Sequence, residues 1–178
     1  MTNDSLPFSH VFNLSSLGRA GDVVTIAARG DELKRIAEWA EVRAIESFAA
    51  KIELQKVSAS RFTYDAELRV EIVQDCVVTL EPVRSVIERK IHRELHVAET
   101  RRAPVDSDVL VDPASDEDDV REEISSLHYD LAGPLLEELI LAIDPYPRAP
   151  GVAFSPPPDP DGRPESPFAV LKNLKKPG

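Results

Sequence analysis

The stretch RFTYDAELRVEIVQDCVVTLEPVRSVIERKIHRELHV, residues 61–97, decides the fold, because it contains two long runs in which apolar and polar residues alternate. The first run places its apolar residues at the even positions of 62–72, and the second places most of them at the odd positions of 83–97. A period of two is typical of a β-strand with one buried and one solvated face. Two such runs, joined by a short segment that contains Pro82, predict a long antiparallel hairpin.

The residues before the hairpin predict further strands and one helix. Alternation over residues 8–14 and the β-branched residues of 23–28 favour two short strands. From Asp31, the expected N-cap, apolar residues recur every three or four positions, which predicts a helix that runs to about Ala50. Residues 51–57 alternate again and are expected to pair with the hairpin.

A second helix is predicted from Leu131 to about Ile143, with Asp130 as its cap. Its apolar residues surround the axis, so we expect it to be buried on most sides and to form the second half of the core. The fold class is therefore α+β: an antiparallel sheet with one long hairpin, packed by two main helices. Closure of this sheet into a barrel is left open. Residues 1–149 are predicted to form a single domain.

Negative charge is concentrated after the hairpin. Residues 103–123 contain nine acidic residues and a single arginine. So dense a charge opposes packing, so we expect a mobile acidic loop over about 104–123. The loop either keeps a linker solvated or docks a basic partner. The residues expected to do the docking are Asp116, Glu117, Asp118 and Asp119.

The C-terminal part combines a proline-rich linker, residues 150–166, with a short amphipathic basic tail, residues 167–178. Burying the three large apolar side chains of the tail would contribute roughly 5–8 kcal/mol. Ordering about eight backbone residues costs about 8–16 kcal/mol. We therefore expect the tail to fold when it docks, either on its own domain or on a partner. Its predicted partner-binding residues are Phe168, Leu171, Leu174, Lys172, Lys175 and Lys176.

Composition narrows the possible partners. The chain has 178 residues, with 21 basic against 32 acidic side chains and a formal net charge of −11. Such a chain repels nucleic-acid phosphates at long range, which disfavours extensive RNA binding but leaves a local RNA contact possible. The single cysteine excludes an internal disulfide. No secretory pattern and no apolar run of about 18 residues is present, so we expect a cytoplasmic protein without a membrane span.

Three motifs carry a family resemblance: CVVTLEP at residues 76–82, the segment 130–145 that ends in LILAIDP, and PFAVLKNLKK at residues 167–176. Together they resemble the YceD family of bacterial proteins, which is associated with the accumulation of large-subunit ribosomal RNA. That family commonly has Cys-x-x-Cys-x-x-Pro in the first motif, whereas Thr79 stands here in place of the second cysteine. Threonine is a poor zinc ligand and a zinc site needs about four ligands, so we predict no metal and no cofactor.

Single residues do not point to catalysis. Cys76 is expected to be a small buried residue, because its segment supplies no cation to stabilise a thiolate. His92 and His96 lie about 13 Å apart along a strand, too far to bind one ion. Glu137 and Glu138 are about 100° apart on a helix and do not converge like an acid–base pair. We therefore predict no catalytic residue.

The leading hypothesis is a non-catalytic factor that supports large-subunit ribosomal RNA accumulation, and it rests on the resemblance. We expect a protein partner, either a ribosomal protein held by the acidic loop or an assembly factor. The alternative is a small cytoplasmic adaptor or regulatory domain unrelated to ribosomes. An enzyme for a small acid or nucleotide would need a polar pocket that this sequence does not provide, so no small-molecule substrate is predicted.

Overall fold

The structure, a computed structural model, describes residues 6–98 and 121–153 as an α+β arrangement of strands with two α-helices. Neither helix of these residues is long and apolar enough to cross a membrane. A single turn of 3-10 helix follows the first strand at Leu14–Ser16. In chain order the elements are β1 Val11–Asn13, β2 Asp22–Ala27, α1 Asp31–Trp39, β3 Ala44–Lys56, β4 Arg61–Asp75, β5 Pro82–Val97, β6 Arg121–Ile124, β7 His128–Asp130 and α2 Ala132–Ala142.

The main sheet has five strands in the order β2-β3-β4-β5-β6, and the predicted hairpin forms its centre. In this hairpin β4 and β5 pair antiparallel over their whole lengths, from Arg61 opposite His96 to Asp75 opposite Pro82. Strand β6 adds to β5 in parallel. The described sheet is open, with β2 and β6 as its edge strands, so closure into a barrel does not occur.

The inner face of the sheet is the core of the molecule. The even positions of β4 point into it, as the alternation predicted, and Tyr64 and Leu68 are at most 2% exposed. Helix α2 and the small antiparallel sheet of β1 and β7 contribute to the same core, and Leu14, Leu135 and Leu139 have no exposed surface. Full burial of each such side chain contributes about 1.5–3 kcal/mol.

Helix α1 is much shorter than predicted, and the expectation that it runs to about Ala50 is wrong. It ends at Trp39, where Val42 N donates to Ala37 O at 3.0 Å and Glu41 N to Glu38 O at 3.3 Å. These two bonds form a Schellman motif, in which the residue after the cap adopts the left-handed conformation. Glu41 does so, with φ 54°. Strand β3 then begins at Ala44.

A β-bulge explains the wrong prediction. The register between β3 and β4 shifts between Ile45 and Ser47, so one extra residue is inserted into β3. Ile45 and Phe48 are therefore both buried although three positions separate them. A spacing of three is the signature of a helix. Beyond the bulge, normal alternation resumes, and Ala50, Ile52 and Leu54 are buried in turn.

The helix caps differ partly from expectation. Asp31 is the first residue of α1 rather than its N-cap, which is Gly30, and its carboxylate pairs with Lys34 Nζ at 2.9 Å. The N-cap position of α2 is Leu131, but the side chain of Asp130, one residue earlier, accepts a hydrogen bond from the first amide of the helix. Asp130 Oδ1 accepts hydrogen bonds from Ala132 N at 3.0 Å and from His10 N at 2.7 Å. It thereby ties β1 to the start of α2.

Two further expectations need correction. Residues 121–123 were assigned to the acidic loop but form part of β6, because they pair in parallel with residues 94–96 of β5. Helix α2 was expected to be buried on most sides, yet Ile140 and Leu141 are 41% and 79% exposed. Leu139 is still buried in the core, whereas the next two residues, Ile140 and Leu141, are exposed.

Candidate functional site

The turn of the central hairpin is a compact six-residue connection between β4 and β5. Cys76 N donates to Glu81 O at 2.8 Å, and Leu80 N donates to Cys76 O at 2.9 Å. Leu80 has φ 61°, in the left-handed region that an L-residue rarely adopts. This turn corresponds to the CVVTLEP motif of the sequence.

The loop after α2 is fastened to this turn. Val77 N donates to Pro147 O at 2.9 Å, and Ala149 N donates to the sulfur of Cys76 at 3.4 Å. Cys76 has no exposed surface, as the sequence predicted. The two segments that carry the first and second motifs are therefore joined by hydrogen bonds around one thiol.

The surroundings of Cys76 favour its thiolate. A hydrogen bond with the Thr79 side chain and further bonds from the amides of Ala149, Thr79 and Val78 lower the pKa of the thiol to about 7, although burial opposes this shift. Residues 75–82 contain no cationic side chain, so the sequence predicted no stabilised thiolate. The amide donors could not be predicted because they come from the folded backbone of the turn and from a loop 73 residues away.

Large apolar side chains are exposed on these joined segments. Val77 and Leu80 lie on the turn and are 46% and 74% exposed, while Leu141 and Tyr146 lie at and after the end of α2 and are 79% and 70% exposed. We call these four residues the end surface. Exposed apolar side chains on segments that hydrogen bonds join are candidates for binding another polypeptide segment.

An ionic cluster joins β5, β6 and α2. Arg93, whose side chain is 13% exposed, contacts Glu122 at 3.1 Å and Glu137 at 2.6 Å. The Tyr129 hydroxyl donates to Glu122 Oε2 at 2.8 Å. The pKa of Tyr129 is raised, mainly by burial and in second place by this hydrogen bond. From the sequence, Glu137 was considered only as a partner of Glu138, and Glu122 was assigned to the acidic loop. Their common partner, Arg93, lies on β5 and reaches both carboxylates only in the folded arrangement of β5, β6 and α2.

The outer face of the sheet carries alternating charges in rows across the strands. Lys90 Nζ lies 3.3 Å from Glu67 Oε1, and Arg69 pairs with Glu88 on the neighbouring strand. A shallow groove of about 630 Å³ crosses this face. Two ion pairs across neighbouring strands, Lys90–Glu67 and Arg69–Glu88, line this groove, which is the usual arrangement of a solvated sheet face.

The two strand histidines lie beside separate carboxylates. His92 Nδ1 is 2.6 Å from Asp65 Oδ1, and His96 Nε2 is 3.1 Å from Glu94 Oε2. Within residues 6–98 and 121–153, no group of three or more His, Cys, Asp or Glu side chains is arranged to hold a metal ion.

The residues predicted to bind partners lie outside the part of the chain that the structure describes. These are the acidic residues Asp116, Glu117, Asp118 and Asp119 and the tail residues Phe168, Leu171, Leu174, Lys172, Lys175 and Lys176. Their roles therefore stay predictions.

The fold defines a class: an α+β domain built on one long hairpin, whose turn is joined to the loop after the last described helix. A protein-family model described as "Large ribosomal RNA subunit accumulation protein YceD" matches residues 64–175. The chain therefore belongs to the YceD family, as its motifs predicted. A search of curated proteins and a search of solved structures each found no match.

Proposed function

We propose that this protein is a non-catalytic factor that supports the accumulation of large-subunit ribosomal RNA through contacts with proteins. The observation that carries the proposal is the YceD match over residues 64–175, since the family is described by that role. The match includes the end surface, the ionic cluster and residues 167–175 of the tail. The proposed function therefore concerns the same part of the chain that holds the candidate interaction surfaces.

The charge of the chain favours a basic protein as partner. Residues 103–120 contain seven acidic side chains and no lysine or arginine. Ribosomal RNA and this segment both carry negative charge, so they repel each other at the ranges allowed by salt. A basic ribosomal protein, by contrast, would be attracted, and the segment would occupy the cationic surface that later contacts RNA.

The position of this acidic segment in the fold suits such capture. The chain leaves the main sheet after Ala98 and re-enters it at Arg121, which pairs with Glu94 near the C-terminal end of β5, so residues 99–120 connect two adjacent parallel strands at the edge of the sheet. A partner held there would lie beside that edge. Glu122 is engaged with Arg93, which leaves the acidic side chains before Arg121 for the partner.

The basic tail supplies a second contact. The tail combines apolar residues at helical spacing with three lysines. Its apolar residues would suit a groove on a partner protein, and its lysines would suit a short stretch of RNA phosphates. The proposed role does not involve cleavage of RNA or protein. The Arg93 cluster uses its charges to hold three elements together, which supports a structural role for it.

A complementation experiment tests the proposal. A strain that lacks the protein is expected to accumulate less large-subunit ribosomal RNA, measured by sedimentation of ribosomal particles, and the wild-type chain should restore it. A variant in which the four acidic docking residues become amides should restore it poorly. The variant carries Asp116→Asn, Glu117→Gln, Asp118→Asn and Asp119→Asn.

A charge-matched control separates a local effect from a change in net charge. It neutralises four exposed acidic residues outside the acidic loop and should complement like the wild type: Asp22→Asn, Asp31→Asn, Glu38→Gln and Glu41→Gln. Normal ribosomal RNA in the deletion strain would overturn the proposal and favour an adaptor unrelated to ribosomes. Binding to a captured basic protein should also weaken steeply with added salt, and salt-insensitive binding would contradict the role of the acidic segment.

A further inference from the structure

The end surface combines exposure with an unusual backbone. Leu80 holds a large apolar side chain in solvent, at 74% exposure, from a left-handed conformation that favours glycine. A structure that keeps a rarely adopted conformation at an exposed apolar residue suggests a use for that side chain. The other exposed apolar residues of the end surface are Val77 on the same turn and Leu141 and Tyr146 on the segment that is hydrogen-bonded to this turn.

The support of this surface is rigid. Gln74 Nε2 donates to Asp144 O at 2.8 Å, which fixes the end of α2 to β4. The bonds from Val77 to Pro147 and from Ala149 to Cys76 fix the following loop to the turn. A preorganised surface loses little freedom when it binds a segment, so it suits docking.

The charge around the end surface is negative. The segments that form it, residues 75–81 and 137–150, carry five acidic residues and one basic residue. Two of the acidic residues pair with arginines of other elements, Asp75 with Arg43 and Glu137 with Arg93. The three others, Glu81, Glu138 and Asp144, still outnumber the single Arg148. Its complement would be a short segment with apolar side chains on one face and positive charge nearby.

We infer that the end surface is the docking site of this chain's own segment 167–176. That segment places Phe168, Leu171 and Leu174 on one face of its predicted helix, and it carries three lysines and no acidic residue. Pattern and charge thus match the surface. The segment belongs to the same chain as the surface, so the docking is intramolecular and needs no second molecule.

The path of the chain makes this docking easy to reach. The described part ends at residue 153, shortly after Ala149, whose amide bonds to Cys76 beneath the end surface. Residues 154–166 separate this point from the segment. A proline-rich linker of that length spans up to about 40 Å at about 3.1 Å per residue. Tethering of this kind gives an effective concentration in the millimolar range.

The inference goes beyond the proposed function, because it concerns where the segment lies in the isolated protein. A partner that takes the segment must first displace it from the end surface, which lowers the apparent affinity. Failure of this docking would leave the role in ribosomal RNA accumulation untouched, and the two can be tested separately.

Paramagnetic labelling of the full chain tests the inference. A nitroxide is attached to Gly178→Cys, and mass spectrometry verifies that the fully buried Cys76 stays unlabelled. We expect strong broadening of the backbone amide signals of Val77, Leu80, Leu141 and Tyr146. Leu171→Asp should abolish the broadening at these amides. Asn173→Asp, which adds the same charge on the opposite side of the predicted helix, should preserve it.

Variants of the surface provide the reciprocal test. Leu80→Asp should also abolish the broadening, while Val23→Asp, at an exposed apolar residue of β2, should not. Unlabelled spectra of each variant verify the fold. The inference is overturned if the wild type shows no broadening at the end surface, if Leu171→Asp leaves the broadening unchanged, or if broadening arises only between a labelled and an unlabelled molecule. The last result would assign the surface to a second copy.

Discussion

At the scale of the residue, Cys76 determines how the hairpin turn and the loop after α2 stay together. Its sulfur accepts a hydrogen bond from Ala149 N, and the Thr79 side chain also bonds to it. The threonine that replaces a second cysteine of the family motif therefore has a structural use. It supplies a hydroxyl donor in the place where a metal-binding pair would supply another sulfur.

We predict that Thr79→Val raises the pKa of Cys76 from about 7 toward its ordinary value of 9.0, because the change removes the largest cause of the shift. The pKa would be measured by the ultraviolet absorbance of the thiolate as a function of pH. Thr79→Ser keeps the hydroxyl and should keep the low value. An unchanged pKa in Thr79→Val would show that the amides alone determine it.

The same shift makes stability depend on pH. The pKa of Cys76 is lower in the folded than in the unfolded chain, so its contribution is present above pH 9 and is lost as the pH falls through about 7. The free energy of unfolding of the wild type, relative to that of Cys76→Ser, should therefore increase between these two pH values. Denaturant titrations at several pH values measure it. A constant difference would contradict the prediction.

At the scale of the element, the end of α1 depends on one strained residue. Glu41 occupies the left-handed position of the Schellman motif with φ 54°, and its side chain is exposed. Glycine is the usual residue there, because it has no Cβ to clash.

We predict that Glu41→Gly stabilises the protein by about 1 kcal/mol, because it removes the steric cost of the left-handed conformation. Urea denaturation followed by the fluorescence of Trp39 would measure the change. Glu41→Ala removes the same carboxylate but retains a Cβ, so it should bring no such gain. Equal effects of both substitutions would attribute the change to charge instead.

The elements also show what the sequence could and could not reveal. The hairpin was predictable because the alternation in β4 continues over residues 62–72 and is independent of any partner. Strand β3 was not, because the bulge after Ile45 copies a helical spacing and no glycine or proline marks the end of α1. Strand β6 has four residues, and its pairing depends on the distant register of β5.

At the scale of the whole molecule, the Arg93 cluster ties the sheet to α2. One contact, to Glu122, lies partly buried, with the carboxylate side chain 32% exposed, whereas the other, to Glu137, has a side chain that is 61% exposed. The site residues predicted from the sequence included none of these, because a pair between residues 29 or 44 positions apart leaves no local pattern.

We predict that the two contacts of Arg93 contribute unequally. A double-mutant cycle with Arg93→Gln and Glu122→Gln should give a coupling of about 2 kcal/mol, as for a hydrogen bond to a charged group. The matched cycle with Glu137→Gln should give less than about 1 kcal/mol, because water screens that pair. Urea denaturation supplies the free energies. A larger coupling for Glu137 would contradict the ranking.

The parallel edge has a consequence for how the chain can vary. Ala98 N donates to Ile124 O at 2.9 Å, so the excursion over residues 99–120 starts and finishes beside a single pair of strands. The entropy of closing such an excursion changes by only about 0.6 kcal/mol for each doubling of its length. The stability of the sheet should therefore depend only weakly on the length of the segment inserted at this point. We expect homologues to differ in the length and sequence of this connection, and we expect the fold to tolerate a foreign epitope inserted between Ala98 and Arg121.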